Sequence, residues 1–232
     1  MHVIILAGGA GTRLKSTFPD PPKVLAPIAG RPILQWQLEF LAEQGLTSIH
    51  ISAGYKADQI DAWVQDYPMG TWVQVHTEPE PLGTAGGIRF TAQDLPTSHV
   101  LVINGDTLIP NLKIFEMIKA WDIAEVDALI AAVTLPSPDR YGCLEVDANN
   151  RITAFKEKEP RPEGTVNAGA YILSKALIDE IAPDTFVSLE NDVFPSLCTA
   201  GRIAAYPCEG PMLDMGTPEG WQATEDWAGS RG

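Results

Sequence analysis

The chain has 232 residues, 45% hydrophobic and 20% charged, with a formal net charge of −14 at pH 7. That length and balance allow one α/β domain with a substantial core. So acidic a chain lacks the broad basic face a nucleic-acid backbone demands, and its apolar runs fall far short of the ~18–20 residues of a membrane-spanning helix. His2–Leu6 reads as a short apolar strand. Val3-Ile-Ile-Leu-Ala7 has no basic segment before it and runs straight into glycines, unlike a signal peptide. Pro32 opens a helix with Leu34, Leu38 and Leu41 on one face, and Gly45 ends it. Ser48-Ile-His-Ile-Ser52 alternates as a strand, Ala57–Val64 is helical and Trp72–His76 is a strand. The Pro/Gly-rich stretch Glu78–Gly87 leads into a helix beginning near Gly87. Val100-Leu-Val-Ile103 is apolar throughout, as in the centre of a parallel sheet.

This alternation predicts βαβ units in a doubly wound, Rossmann-like α/β fold: a mixed, mainly parallel sheet with helices on both faces. After residue 135 the pattern changes. Cys143–Val146, Ile152–Lys156 and Ala168–Leu173 read as strands too closely spaced for crossover helices, giving a small antiparallel extension. Helices around Lys175–Ile181 and Leu189–Leu197, the strand Ile203–Tyr206 and the loop Leu213-Asp-Met-Gly-Thr-Pro218 follow. No linker, low-complexity segment or internal repeat divides the chain, so residues 1–232 read as a single domain. Cys143, Cys198 and Cys208 form an odd, sparse set without metal-ligand spacing, which suggests reduced thiols and a cytoplasmic protein.

Charge is unevenly placed. Residues 1–31 hold Arg13, Lys15, Lys23 and Arg31 against the single acid Asp20. A small basic end suits one compact anion such as a triphosphate, although such clusters also arise by chance. The strand that runs into Gly8-Gly-Ala-Gly-Thr-Arg13 presents backbone N–H groups with no side chains in the way, a natural phosphate cradle. A glycine-rich turn can equally serve packing. No Gly-Lys-Ser/Thr completes a Walker loop, and Leu14 stands where a dinucleotide fingerprint needs glycine or alanine. Asn104-Gly-Asp106 follows the apolar strand at the edge where open α/β sheets bind ligands, with Gly105 removing steric bulk. An isolated aspartate of this kind also caps turns.

The run Leu6-Ala-Gly-Gly-Ala-Gly-Thr-Arg-Leu14, followed by Pro22-Lys23 and Pro27-Ile-Ala-Gly-Arg-Pro-Ile33, resembles the sugar-phosphate nucleotidyltransferases. The resemblance continues through Glu80-Pro-Leu-Gly-Thr-Ala-Gly-Gly87, Asn104-Gly-Asp106, Phe155-Lys-Glu-Lys158, Val166-Asn-Ala-Gly169 and Leu213-Asp-Met-Gly-Thr217, spanning nearly the whole chain in order. It implies an enzyme that joins a nucleoside triphosphate to a sugar 1-phosphate and releases pyrophosphate. The nucleotide-binding half would be about 1–110 and the sugar-phosphate half about 111–232. On the nucleotide side it implies Leu6, Ala7, Gly8, Gly9, Gly11, Thr12, Arg13, Lys23, Glu78, Gly83, Thr84, Asn104 and Gly105. Arg13, Lys23 and Asp106 would be catalytic, and Asp106 with Asp214 would hold Mg²⁺, a hard cation that takes few carboxylates beside phosphate oxygens and water. Lys158 would contact the sugar's phosphate and Glu157 its hydroxyls, with Asn167 and Gly169 lining the sugar site. The Lys-Glu-Lys-Glu run could equally be a salt-bridged surface.

Glu78 lies where relatives that use thymidine or uridine nucleotides commonly carry a base-reading glutamine. A carboxylate only accepts hydrogen bonds, and guanine offers two adjacent donors, N1–H and the 2-amino group. GTP is therefore the favoured nucleotide, unless Glu78 and Glu80 merely solvate a loop. Lys15–Lys23 and the chain length resemble the D-glycero-α-D-manno-heptose 1-phosphate guanylyltransferases. The mannose-1-phosphate enzymes share Pro-Leu-Gly-Thr-Ala-Gly but usually have an added C-terminal domain, and uridylyltransferases of N-acetylmuramate or glucose phosphates stay open. A non-catalytic sugar-nucleotide sensor on the same fold is the competing class. Trp221 and Trp227, expected to be exposed, suggest a homodimer.

Overall fold

A computed structural model describes residues 1–9, 21–68 and 70–230. The first three strands and their crossovers follow from the pattern in the chain. β1 (His2–Ala7), β2 (Ile49–Ala53) and β3 (Val73–Thr77) are parallel, joined by α1 (Ile33–Glu43) and α2 (Ala57–Asp66). Pro32 caps α1, and Leu34, Leu38 and Leu41 are all buried on its inner face. Gly45, at φ +71°, reverses the chain while the Leu46 N–H returns to the Leu41 carbonyl, which stops the helix. Trp72 falls short of β3: it closes a turn of 3₁₀ helix, Gly70–Trp72.

α3 (Gly83–Ala92) leads to β4 (His99–Asn104), which pairs parallel to β1 on its other edge. The order β3-β2-β1-β4 reverses direction between β1 and β4, the point at which doubly wound sheets open a ligand crevice. α3 starts a turn before the expected Gly87. A glycine-rich stretch has poor intrinsic helix propensity, but a Cβ on Gly86 would lie 2.6 Å from the Thr185 carbonyl oxygen. Close packing, invisible to propensity, selects glycine inside this helix.

The second half adds β5 (Ala128–Pro136), β6 (Cys143–Val146), β7 (Ile152–Lys156), β8 (Glu163–Ser174) and β9 (Ile203–Pro207) to the same nine-stranded sheet. β8 is twice the expected length. It runs antiparallel to β4, β5 and β6, while β9 is parallel to β5. α4 (Ile114–Ala124), β5 and α7 (Pro218–Gly229) occupy stretches for which no individual element is predicted. α5 (Lys175–Glu180) is as expected, whereas Leu189–Leu197 divides into a π-helix, Leu189–Val193, and α6 (Phe194–Ala200).

Side chains alternate across the central strands. Val3, Ile5, Leu101 and Ile103 face a core shared with α1, α2 and α4; Ile4, Val100 and Val102 face one shared with α3, α5 and α6. A third, smaller cluster forms where α7 packs over the hairpin Pro27–Ile28 and Arg31–Pro32. Trp221 and Trp227 are absorbed there, contrary to the expected exposure, and Trp227 meets Trp36 edge-on at 5.6 Å. Both indoles are half-buried against this cluster rather than fully exposed. No described helix is long and apolar enough to cross a membrane.

Candidate active site

A cavity of about 870 Å³ opens at the carboxyl ends of β1 and β4. Leu6, Ala7, Gly8, Gly9, Lys23, Glu78, Gly83, Thr84, Asn104, Gly105, Asp106, Asn167, Gly169 and Asp214 all line it. These residues span some two hundred positions of sequence and meet because the sheet order brings their strand ends together. Gly11, Thr12 and Arg13 lie outside the described residues. Glu157 and Lys158 follow β7 on an exposed segment and are not part of the cavity wall. Their neighbours behave as the salt-bridged surface alternative predicts, Lys156 pairing with Glu145 at 3.1 Å and Arg161 with Glu159. Arg31, counted with the basic end of the chain, pairs instead with Glu39 and stacks 3.6 Å over Trp36.

At one end of the cavity Glu78 is nearly buried beside β2. Its Oε1 accepts the Ser52 hydroxyl at 2.8 Å and its Oε2 the Leu82 N–H at 3.2 Å. Each carboxylate oxygen has a second lone pair, so one acceptor position per oxygen is left. Gly8 and Gly87 flank this carboxylate, and a Cβ on either would crowd Oε1, at 2.9 and 2.7 Å.

In the centre, a two-residue antiparallel ribbon sets Thr107 opposite Asp214 and Leu108 opposite Leu213. The Met215 N–H donates to the Asp106 carbonyl at 2.9 Å, so two loops more than a hundred residues apart present their carboxylates to one cavity. Lys23 Nζ forms an ion pair with Asp106. The loop around Asp106 is gripped from below by Gln37 of α1. Its buried amide donates to the carbonyls of both Asn104 (2.9 Å) and Thr107 (2.8 Å). Gly105 has a different purpose from the one expected: a Cβ there would lie 2.5 Å from the Leu6 carbonyl and 2.6 Å from Val24 Cγ1. It lets β4 close on β1 rather than clearing room for a ligand. Asp214 accepts the Gly216 N–H at 2.7 Å; burial, and then the Asp214 charge, raise the pKa of Tyr141.

At the far end, β8 slips register between Asn167 and Tyr171, and Gly169 takes φ +76° in that bulge, folded against the Asn104 side chain. Asn167 accepts the Gly169 N–H at 2.9 Å and donates to the Tyr171 hydroxyl at 3.1 Å; Asn104 approaches the same hydroxyl at 3.5 Å. Complete burial raises the Tyr171 pKa well above its ordinary value, so it is a permanent neutral anchor for both amides. Among the described lining residues Lys23 is the one cation against Glu78, Glu80, Asp106, Glu190 and Asp214.

Of these, Ser52, Gln37, Tyr141, Tyr171 and Glu190 were not singled out from sequence. Gln37 carried a usable signal, a polar side chain three residues after Leu34 on an apolar helix face. Tyr171 reads as an ordinary core aromatic, and Glu190 has no local mark at all.

A doubly wound sheet with a cavity at its switch point defines an α/β protein of the kind that binds a ligand at the carboxyl ends of its strands. The nucleotidyl transferase family model matches residues 2–227, and the chain belongs to that family. It is 30% identical to the D-glycero-alpha-D-manno-heptose 1-phosphate guanylyltransferase of Aneurinibacillus thermoaerophilus over 227 residues, 97% of each chain. It is 34% identical to the mannose-1-phosphate guanylyltransferase of Mycobacterium tuberculosis, covering 94% of this chain and 62% of that protein. The crystal structure of HddC from Yersinia pseudotuberculosis complexed with GMP-PN superposes with a TM-score of 0.88 at 36% identity, covering 98% of this chain and all of the other.

Proposed function

We propose that this protein transfers GMP from GTP to a sugar 1-phosphate, forming a GDP-sugar and pyrophosphate, with D-glycero-α-D-manno-heptose 1-phosphate as the acceptor. The observation that carries the reading is Glu78. Ser52 and Leu82 hold its carboxylate with one acceptor position left on each oxygen, matching the adjacent N1–H and 2-amino donors of guanine. Similarity to two heptose 1-phosphate guanylyltransferases along 96–97% of their lengths supports the acceptor. Mannose 1-phosphate is the second reading, supported by the Mycobacterium relative.

The acceptor's phosphate oxygen is already ionised at neutral pH and attacks the α-phosphorus directly. The bond between that phosphorus and the β-phosphate's bridging oxygen breaks, and pyrophosphate leaves with the electron pair. No protein nucleophile or base is required, so the protein's contribution is positioning and charge neutralisation. Leu6 to Gly9, Gly11, Thr12, Gly83, Thr84, Asn104 and Gly105 frame the nucleotide. Arg13 and Lys23 meet its phosphates, with Lys23 leaving its pairing with Asp106 to do so. Among the described lining residues five carboxylates accompany one lysine, a balance that favours an added cation beside a polyanion. Asp106 and Asp214, hard oxygen donors joined by one ribbon, are the residues that would hold Mg²⁺, which when bound neutralises charge at the α-phosphate. Asn167 and Gly169 frame the sugar, and the resemblance assigns Glu157 its hydroxyls and Lys158 its phosphate. The stretches about 1–110 and about 111–232 both contribute residues to the one cavity. Three free cysteines accord with a reducing cytoplasm.

The test is pyrophosphate release with four nucleoside triphosphates against a panel of sugar 1-phosphates in Mg²⁺. GTP with a manno-configured heptose phosphate should turn over fastest. No turnover in any combination overturns the enzyme, and preference for UTP or dTTP overturns the role of Glu78.

A further inference from the structure

Arg140 lies outside every motif so far assigned a role and is not among the described lining residues of the cavity. It nevertheless grips the element that follows Asp214. Its Nη1 donates to Thr217 Oγ1 at 2.7 Å and pairs with Glu219 at 3.5 Å. Thr217 is the N-cap of α7, and the same Oγ1 accepts the Gly220 N–H at 3.1 Å. The first turn of α7 is pressed against Asp214: a Cβ on Gly220 would lie 1.9 Å from the Asp214 carbonyl oxygen. Packing that close passes any shift of the helix start on to Asp214.

The other side of Arg140 is equally fixed. A tight turn between β5 and β6 carries it, closed by the Tyr141 N–H on the Pro138 carbonyl at 2.8 Å. That turn is tied to the stretch just beyond Glu157 and Lys158. The Ser137 N–H donates to the Pro162 carbonyl at 3.0 Å, and Asp139 Oδ1 accepts the Arg161 N–H at 3.2 Å. Arg140 therefore links the segment that the resemblance assigns to the acceptor with the loop that presents Asp214 to the cavity. Its two contacts differ in weight. The pair with Glu219 is largely exposed on both sides and adds little. The short, charge-assisted bond to the Thr217 hydroxyl is the one that fixes position.

We propose that Arg140 is a positioning residue that holds the α7 N-cap, and through it Asp214, in register with the acceptor-side segment. The proposal rests on the nucleotidyl-transfer reading and deepens its metal half. Arg140→Gln removes the charged donor from Thr217, and Glu219→Gln removes the ion pair alone. Mn²⁺ is the probe of the Mg²⁺ position, titrated by electron paramagnetic resonance with a non-hydrolysable GTP analogue bound. Arg140→Gln should weaken Mn²⁺ binding about tenfold, as for partners that orient metal-holding side chains. Its kcat for pyrophosphate release should fall by a similar factor, while KM for GTP stays within about twofold. Glu219→Gln should match the wild type in both measurements.

Wild-type Mn²⁺ binding by Arg140→Gln, with an active wild type, overturns the proposal alone. So does a lowered thermal midpoint with Mn²⁺ binding and kcat unchanged, which would make Arg140 a purely structural link. An equal loss in Glu219→Gln overturns it in favour of the ion pair. A wild type that releases no pyrophosphate with any sugar 1-phosphate takes down the transfer reading and the proposal together.

Discussion

Asp106 is the residue on which the chemistry and the fold are most cleanly separable. Its backbone carbonyl is held by Met215 and its side chain by Lys23, and the carboxyl group is one-third exposed. Asp106→Asn is therefore expected to abolish pyrophosphate release while changing unfolding free energy by no more than about 1 kcal/mol, the scale of a partly exposed ion pair. Wild-type turnover by the variant would remove Asp106 from the metal site. Glu78→Gln addresses the base. The amide oxygen can keep one of the Ser52 and Leu82 contacts, but its NH₂ confronts a guanine donor with a donor. We expect kcat/KM for GTP to fall about 10- to 100-fold relative to UTP, measured as a ratio within the triphosphate panel. Both aspartates and Glu78 stand out in the sequence because motifs enclose them. Tyr171 and Glu190 do not, since a core tyrosine and a surface glutamate look the same locally whatever they face.

At the scale of elements, α1 holds the Asp106 loop through Gln37. Gln37→Leu strips the donor from two backbone carbonyls, at Asn104 and Thr107, and an unsatisfied buried group costs about 1–3 kcal/mol. Urea denaturation of Gln37→Leu should show a loss of about 2–4 kcal/mol. Its apparent requirement for Mg²⁺ should rise because the Asp106 turn is loosened; wild-type Mg²⁺ dependence would show that the grip does not reach the carboxylate. Element types were largely legible, as β1, α1, β2, β4 and β7 show, because period-2 and period-3.6 patterns are local. The start of α3 was not. Its glycines answer to the Thr185 and Glu78 atoms packed against them, and no propensity scale contains those neighbours. The division of the predicted Leu189–Leu197 helix, by contrast, falls beside Pro195, which lacks an N–H and sits in the first turn of α6.

At the scale of the whole molecule, the neighbouring strands β1, β2 and β3 carry a row of histidines. Ser48 Oγ meets His2 Nδ1 at 2.8 Å, His2 meets His50 Nε2 at 3.1 Å, and His50 Nδ1 meets His76 Nε2 at 3.0 Å. Burial, and then its two histidine neighbours, lower the His50 pKa to about 4; burial lowers His2 and His76 as well. Each group is neutral in the fold and takes up a proton more readily when unfolded. Stability is therefore full above the ordinary histidine pKa near 6.5 and is lost as pH falls toward 4, with His50 accounting for about 3 kcal/mol. Denaturation midpoints between pH 7 and pH 4 should show this slope, and His50→Gln should flatten it; an unaltered slope would assign acid sensitivity to other groups.

The sequence by itself determined the doubly wound class, the order of the motifs and the residues they offer: a glycine-rich turn, one lysine, two aspartates and a glutamate ahead of a Pro/Gly-rich stretch. Those properties reside in short windows, where hydrophobic period and residue type dictate local conformation. Only the tertiary structure decided which of these windows meet. The ribbon that joins Asp106 to Asp214, the Ser52 hydroxyl that fixes Glu78, the inward turn of Glu190 and the packing of Trp221 and Trp227 against α7's cluster all depend on strand order and helix packing. Contacts between residues so far apart in the chain are set by the free energy of the whole core, and no local pattern specifies them.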